Sequence, residues 1–392
     1  MRRLFLMLLA LLVGAAIWLP SLHFFFGRNM RNYVAEGTLP PKTRAIAARH
    51  LKFWQDKGAR ERELAQMRVI NPEWDLMGRM FVVLALGNMA CREPDKETEY
   101  LTVVDAIIED TLRLEREKGV FYFLMPYAQD MPFVGKPPRS LFLDGEIALM
   151  VAARRLVEEK PDYKPLLDDR IETIIARMEK SRALAGESYP NECWLFCNTV
   201  AIAAIKLSDV LDGPRHEDFI RRWLDIAKRE LLEPQTGLLY STYTVDGGEL
   251  EGPEGSSIWM AAHCLKLVDE EFARDQYQRA KKELGRSLLG FGYAREWPES
   301  YKGPIDVDSG PVIPGLGISP GSSGLALLGA SAFHDTEFLR GLLTSLRFAG
   351  FPLERDGRLR FCASNQVGDA VVLYAMVFGP LWDKAQALEG KR

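Results

Sequence analysis

After residue 40 the chain alternates between two kinds of helical segment. Amphipathic stretches at Lys42–Lys57, Glu97–Lys118, Pro165–Lys180, His216–Leu232, Glu270–Leu288 and Asp335–Leu346 set charges opposite apolar residues at helical spacing. Almost wholly apolar stretches alternate with them: Trp74–Ala90, Glu146–Ala153, Leu195–Leu207, Ser257–Leu265, Ser323–Ala332 and Gln366–Phe378. An amphipathic helix needs one wet face, whereas a helix that is apolar all round must be shielded on every side. The pattern therefore predicts an inner ring of helices wrapped by an outer ring, an all-α (α/α)6 toroid or six-hairpin barrel. Short antiparallel connections bring all six inner helices in from one rim, so the polar residues ahead of them are expected to gather at a single mouth. Two loops, Thr242–Leu250 around Asp246-Gly247-Gly248 and Leu353–Phe361 around Asp356-Gly357, read as short β-hairpins over or close to that mouth.

The N-terminus breaks this pattern. Arg2 and Arg3 precede an apolar run from Leu4 to Pro20 that continues, interrupted by Ser21 and His23, to Phe26, and Arg28 and Arg31 follow. Such a run is long enough to span a bilayer as one helix. A cleaved signal peptide competes with that reading, since Gly14 and Ala16 are small enough for processing, but bulky Trp18 and further apolar residues follow them. Residues 1–27 are thus expected to be a membrane anchor or signal segment and residues 28–392 a single toroid domain, single-pass anchored and extracytoplasmic. No Ser/Pro-rich linker or charge block divides the 392 residues. The net charge of −4 without a long basic stripe argues against nucleic acid as a partner. The pattern is compatible with either a monomer or an oligomer.

Candidate chemistry sits in the approaches to the inner helices: Asn71-Pro72-Glu73-Trp74-Asp75, Leu143-Asp144-Gly145-Glu146, Tyr189-Pro190-Asn191-Glu192-Cys193, the stretch around Glu254, and Asp306-Val307-Asp308. Asp and Ser are also ordinary helix caps, which is the plainer reading of any one of them. Asp306 and Asp308 lie in a Pro/Gly loop well ahead of a helix, where capping is less natural. A carboxyl group at an apolar mouth stays protonated near neutrality and can act as a general acid, and Asp75, Glu146 and Glu192 are the candidates. Of the five cysteines, Cys193 and Cys197 stand one helical turn apart at the start of the third inner helix, where the positive helix end favours thiolate. Both also read as small buried hydrophobes. No His or Cys pairs at ligand spacing suggest a metal. Tyr243 belongs to a group of aromatic residues in the same connections, with Tyr122, Tyr127, Trp194, Tyr240 and Trp297 among them, suited to an apolar or sugar-stacking cleft, although ordinary packing is the plainer reading of any one.

The stretch Asn71–Ala90, the Tyr189-Pro190 approach to Cys197-Asn198, the segment Gly255–Leu284 with Trp259, Asp269 and Tyr277, and the stretch Asp306–Ala330 together resemble the linalool dehydratase/isomerase-like family. The resemblance implies a six-hairpin toroid and a cofactor-independent lyase-type site that removes a tertiary or allylic hydroxyl, using an Asp, a Tyr, a His and two Cys. It places the acid at Asp75 and one cysteine at Cys197, followed by Asn198. The tyrosine and histidine positions hold Phe81 and Glu146, and Cys193 stands in for the second cysteine.

The expected function is acid–base dehydration or isomerisation of an alkenol or terpenoid-type alcohol. Catalysis is expected from Asp75, Glu146, Glu192, Cys193 and Cys197, and substrate contact from Asp144, Tyr189, Asn198, Tyr243, Glu254, Asp306 and Asp308. Two alternatives remain open. Toroids also serve glycosidases and polysaccharide lyases, for which Glu192, Glu254, Asp306 and Asp308 offer paired carboxylates. A membrane-tethered helical binding protein would instead use its acids as caps.

Overall fold

The computed structural model describes residues 2–27, 33, 37–303 and 310–391. Six helices form a closed inner ring: α4 (Glu73–Arg92), α6 (Leu141–Val157), α8 (Leu195–Asp212), α10 (Gly255–Leu265), α12 (Pro320–Ala332) and α14 (Gln366–Val377). Each packs on the next, and α14 returns to α4. Around them lie α2 (Pro41–Gln55), α5 (Glu97–Lys118), α7 (Tyr163–Met178), α9 (Glu217–Glu230), α11 (Glu270–Glu283) and α13 (Thr336–Ala349). Every residue of α6 is buried, whereas α9 buries only Phe219, Ile220, Trp223 and Ala227, one face of the helix. The (α/α)6 toroid expected from the alternation is the observed fold.

Close approach within the inner ring depends on small residues. A Cβ on Gly255 would lie 1.9 Å from Ser322 Oγ, and one on Gly78 would lie 2.2 Å from Gln366 Oε1. A side chain at Gly255 would also meet the Arg295 carbonyl at 2.7 Å and Ser322 Cβ at 2.8 Å, so glycine lets α10 close on α12 there, whereas at Gly78 the end of the Gln366 side chain fills the space a Cβ would take. Two arginines of α6 turn to the seams between helices. Arg154 Nε donates to Asp105 at 2.9 Å and Arg155 Nη1 to Asp212 at 2.8 Å.

Elements outside the twelve-helix pattern finish the two ends. α15 (Pro380–Glu389) closes the floor: the Leu381 N–H donates to Asn88 Oδ1 at 3.1 Å, and Lys384 Nζ to the Val157 carbonyl at 2.8 Å. Trp382 stacks on His263, which hydrogen-bonds the Tyr374 hydroxyl. Burial pushes the His263 pKa down to about 3, so its ring is neutral. At the mouth, α3 (Lys57–Ile70) precedes α4, and short strands fill the longer connections. Strands β1 (Cys193–Trp194), β2 (Thr242–Tyr243) and β3 (Glu249–Glu251) form one antiparallel sheet, β4 (Gly285–Leu288) pairs with β5 (Phe291–Ala294), and β6 (Pro352–Arg355) pairs with β7 (Arg358–Phe361). Both expected hairpins are present. The outer segment expected to run on to Leu288 stops at Glu283, because residues 285–288 join the β4–β5 hairpin.

The N-terminal run forms α1 (Arg2–Phe26), whose most apolar window is entirely unburied. Its last turns pack on the outer flank of the toroid, against α13 and the β4–β5 hairpin. His23 Nε2 meets the Leu289 carbonyl at 2.6 Å, and Phe26 packs edge-on against Phe348.

Candidate active site

The first turns of all six inner helices enclose a cavity of about 470 Å3. Its wall is mostly apolar, with Met77, Phe142, Phe196, Leu325 and Val371, and a few polar groups converge on it: Glu73, Ser188, Tyr189, Cys197, Glu254 and Asn365. Size and composition are those of a small-molecule site.

Local sequence fixes Glu73 at this wall. The Asn71 Oδ1 accepts the Glu73 N–H at 2.8 Å, and Pro72 starts the helix, so the carboxyl projects from the first turn of α4. The Tyr189 hydroxyl donates to Glu73 Oε1 at 2.5 Å and accepts the Met125 N–H at 2.8 Å. Tyr189 is further held by stacking on Tyr127, with ring centroids 4.5 Å apart. Burial, reinforced by the Glu73 charge, raises the Tyr189 pKa far above its ordinary value, so it remains a hydrogen-bond donor at all working pH values.

Glu146 lies behind this wall on α6. It is fully buried, and neither carboxyl oxygen has a hydrogen-bond partner. Burial first and the neighbouring Glu73 second push its pKa well above the carboxylate range, which keeps it neutral. An unsatisfied acid beside a second acid is costly to the fold and is the kind of group found at catalytic centres. Cys197 completes the cluster: its thiol is raised by burial, lowered by the adjacent Ser188 hydroxyl, and raised again by Glu146 and Glu73.

The remaining sequence candidates are distributed unevenly. Tyr189, Cys197 and Glu254 line the cavity. Tyr243 is buried on β2 with an unpartnered hydroxyl, close enough to Cys193 and Cys197 for both to reinforce the rise that burial gives its pKa. Cys193 is fully buried and outside the lining. It lies on β1, not on the helix, and burial raises the pKa of both cysteines, opposite to the thiolate character expected of them.

Four candidates face elsewhere. Asp75 accepts from Arg79 Nε at 2.8 Å, and Arg79 also reaches Asp110 and Thr111 on α5, so this acid serves the wall between the rings. Two residues along a helix is about 200° of rotation, which is why Glu73 faces the cavity and Asp75 does not. Asp144 is held by Arg139 Nε at 2.8 Å and Arg170 Nη1 at 2.5 Å, again at an outer seam. The Asn198 amide bonds both the N–H and the carbonyl of Gly186, fixing the loop that carries Ser188 and Tyr189. Glu192, past the left-handed turn at Asn191, accepts from the Tyr127 hydroxyl at 3.4 Å and the Trp194 indole at 3.3 Å, and it lies outside the lining. Asp306 and Asp308 fall outside the described residues. Some acids and polar residues of the connections do act as caps: Asp269, Ser319, Asp335 and Asn365 each accept a first-turn N–H. Sequence reasoning passed over Glu73 and Ser188. The Asn-Pro-Glu turn was the signal for the first, whereas Ser188 had none.

A mouth of converging helix N-termini over a polar-spotted apolar cavity defines an (α/α)6 toroid of the kind that houses enzymes. The chain belongs to the linalool dehydratase/isomerase family, whose model matches residues 158–361. Among solved structures, it is similar to an unsaturated glucuronyl hydrolase from Bacillus sp. GL1 at 11% identity, covering 76% of this chain and 84% of that one with a TM-score of 0.51. It is also similar to a GH76 alpha-mannanase from Bacteroides thetaiotaomicron, at 12% identity, 80% and 87% coverage and a TM-score of 0.51. A third likeness is to the cellobiose 2-epimerase of Bacillus thermoamylovorans, at 13% identity, 77% and 87% coverage and a TM-score of 0.51.

Proposed function

We propose that this protein is a cofactor-independent lyase or isomerase that removes or relocates the hydroxyl of an alkenol or terpenoid-type alcohol. The observation that carries the reading is the neutral Glu146, buried directly behind Glu73, which itself lines an apolar cavity. Glu146 thereby carries a proton at neutral pH next to a second carboxyl, an arrangement suited to general acid catalysis. Relayed through Glu73 at the wall, that proton reaches the substrate hydroxyl, the C–O bond breaks, and water leaves. The cation-like carbon is stabilised by the carboxylate left behind and by the faces of Trp74 and Phe196. The same carboxylate then takes a proton from the neighbouring carbon, giving the alkene and restoring the pair. Return of water to the far end of an allylic cation gives isomerisation. Tyr189 orients Glu73, and the Cys197 thiol packs against the reacting group.

Family membership supports this chemistry, and the apolar wall suits a hydrocarbon substrate. Carbohydrate cleavage is the second reading, favoured by Trp74, Trp194 and Glu254 at the mouth and by the sugar-active enzymes among the similar folds. The test is incubation of the full chain with linalool, shorter tertiary alkenols and unsaturated oligosaccharides, followed by product analysis. Alkene formation lost in Glu146→Gln supports the proposal, and turnover of oligosaccharides alone overturns it.

We further propose that α1 is an uncleaved anchor, with the toroid outside the cytoplasm. Its 25 residues span about 37 Å at helical rise, and its last turns are built into the toroid through His23 and Phe26, with Arg347 donating to the Phe25 carbonyl at 3.1 Å.

A further inference from the structure

We infer that the toroid stands with its floor toward the membrane, so that the cavity opens into water on the far side and takes its alcohol from solution rather than from the acyl layer. The inference rests on the reading of α1 as an anchor and goes beyond it. A tether alone fixes neither the end that faces the bilayer nor the side from which substrate enters.

The direction of α1 carries the argument. Inner helices descend from the mouth and outer helices climb back to it. Pro320, Gly321 and Gly324 in the first turns of α12 line the cavity, α12 ends at Ala332 by the floor, and α13 rises from Thr336 to Ala349. α1 lies along α13 in the same direction. Phe26 packs edge-on against Phe348 in the last turn of α13, and Arg347 donates to the Phe25 carbonyl at 3.1 Å. Further back, Pro20, His23 and Phe24 share a cleft with Glu337, Arg340, Gly341 and Thr344 from the earlier turns of α13. At Pro20, then, α1 is level with the foot of α13, and residues 2–19 run on past the floor. They cover about 27 Å at helical rise, close to the ~30 Å hydrocarbon core of a bilayer.

A built seat holds that direction. His23 Nε2 meets the Leu289 carbonyl at 2.6 Å, and a Cβ on Gly290 would lie 2.6 Å from the same ring, so glycine lets the β4–β5 hairpin reach α1. Gly290 also has φ +83°, a conformation that strains a side chain. Arg347 donates to the carbonyls of both Phe25 and Phe26, acceptors left open at a helix C-terminus. Contacts from a hairpin and a helix, spread over the last two turns, fix the axis of α1 as well as its end.

The floor is suited to a headgroup layer and no deeper. Among the described residues, α15 and the connections 93–96, 158–162, 213–216, 266–269 and 333–335 expose no large hydrophobic side chain, whereas Leu4, Leu11 and Ile17 of α1 are 63%, 71% and 70% exposed. A long polyprenol dissolved in lipid would have to leave the bilayer and pass the height of the toroid to reach the mouth. A short alkenol arrives there through water.

The test uses the full chain in liposomes of phosphatidylethanolamine and phosphatidylglycerol that carry a lipid-linked acceptor dye. Cys91→Ala and Cys362→Ser remove the two thiols that are not buried, and a donor dye is placed at the floor by Asp162→Cys or at the mouth by Met131→Cys. In protein that floats with the vesicles, energy transfer from the floor label is expected to be several times faster than from the mouth label. Equal transfer, or faster transfer from the mouth, overturns the orientation and leaves the anchor standing. His23→Ala with Arg347→Ala should narrow the difference while flotation is kept; a difference that survives overturns the seat as its cause. Turnover of a short tertiary alkenol at fixed total concentration should fall as plain liposomes are added and draw it into lipid, and a rise overturns entry from water. Failure to float removes the anchor reading itself, and the inference with it.

Discussion

The two ends of this toroid are made by the same six inner helices, yet they could hardly differ more. At the floor, short connections and α15 seal the ring with apolar side chains, and the buried imidazole of His263 is neutral and bonded to Tyr374. At the mouth, longer connections leave a cavity, and Glu146, Ser188 and Tyr243 all hold buried oxygens without partners. Buried polar atoms are ordinarily satisfied, and a fully buried carboxyl with both oxygens unpartnered, as at Glu146, is a costly exception.

That contrast can be broken at several points. Glu146→Gln should have the largest effect, lowering turnover by about 10²–10⁴-fold, the range for loss of a general acid, with the far-UV circular dichroism spectrum unchanged. The same variant has a pH signature. Folded Glu146 holds its proton to a higher pH than the unfolded chain does, so the wild type loses stability as pH rises above the ordinary carboxyl range of about 4.3, by up to about 1.4 kcal/mol per pH unit until the raised pKa is reached. Urea unfolding at pH 5 and pH 8 should therefore show a smaller decline for the variant than for the wild type.

Asp75→Ala addresses the acid that faces the wall. Removing it leaves Arg79 buried with only its α5 partners, at a cost of about 3–5 kcal/mol in chemical unfolding, while the folded enzyme keeps its turnover. Leu381→Ala at the floor should cost about 2–4 kcal/mol by opening a void against Gly87 and Val157, again without a specific effect on catalysis. Glu192→Gln should be the mildest, within about 0.5 kcal/mol in stability and with wild-type turnover, because its carboxylate lies outside the cavity wall. An order of effects in which Asp75 governs turnover and Glu146 does not would reverse the assignment.

The architecture was legible because burial on all sides and burial on one side leave different traces in a sequence, and this chain repeats the difference six times. α5 appears with the expected bounds, Glu97–Lys118. α3 and α15 were not legible. α3 has low hydrophobic content, with Leu64 and Met67 its only buried residues, and α15 is a short helix whose role depends on the hole it fills. Within the site, the approach segments could be found but their facing could not. Glu73 and Asp75 share one motif, and only the phase of α4 separates them. Glu146 was legible as an acid in an apolar run, where an unpaired carboxyl has no structural purpose. Cys193 and Cys197 look alike in spacing, but the strand that begins at Cys193 takes its backbone off the helix, as it pairs with Tyr243.

The meeting of Gly78 with Gln366 has a consequence for how the molecule comes into being. These residues belong to the first and last staves of the barrel and are supplied at opposite ends of synthesis, so the cavity has no complete wall until the final hairpin is in hand. A nascent or truncated chain is then an open arc with an apolar inner edge, vulnerable to self-association, and slow closure is expected of contacts so distant in sequence. Competence waits on late synthesis: the hollow is closed only once α14 joins α4.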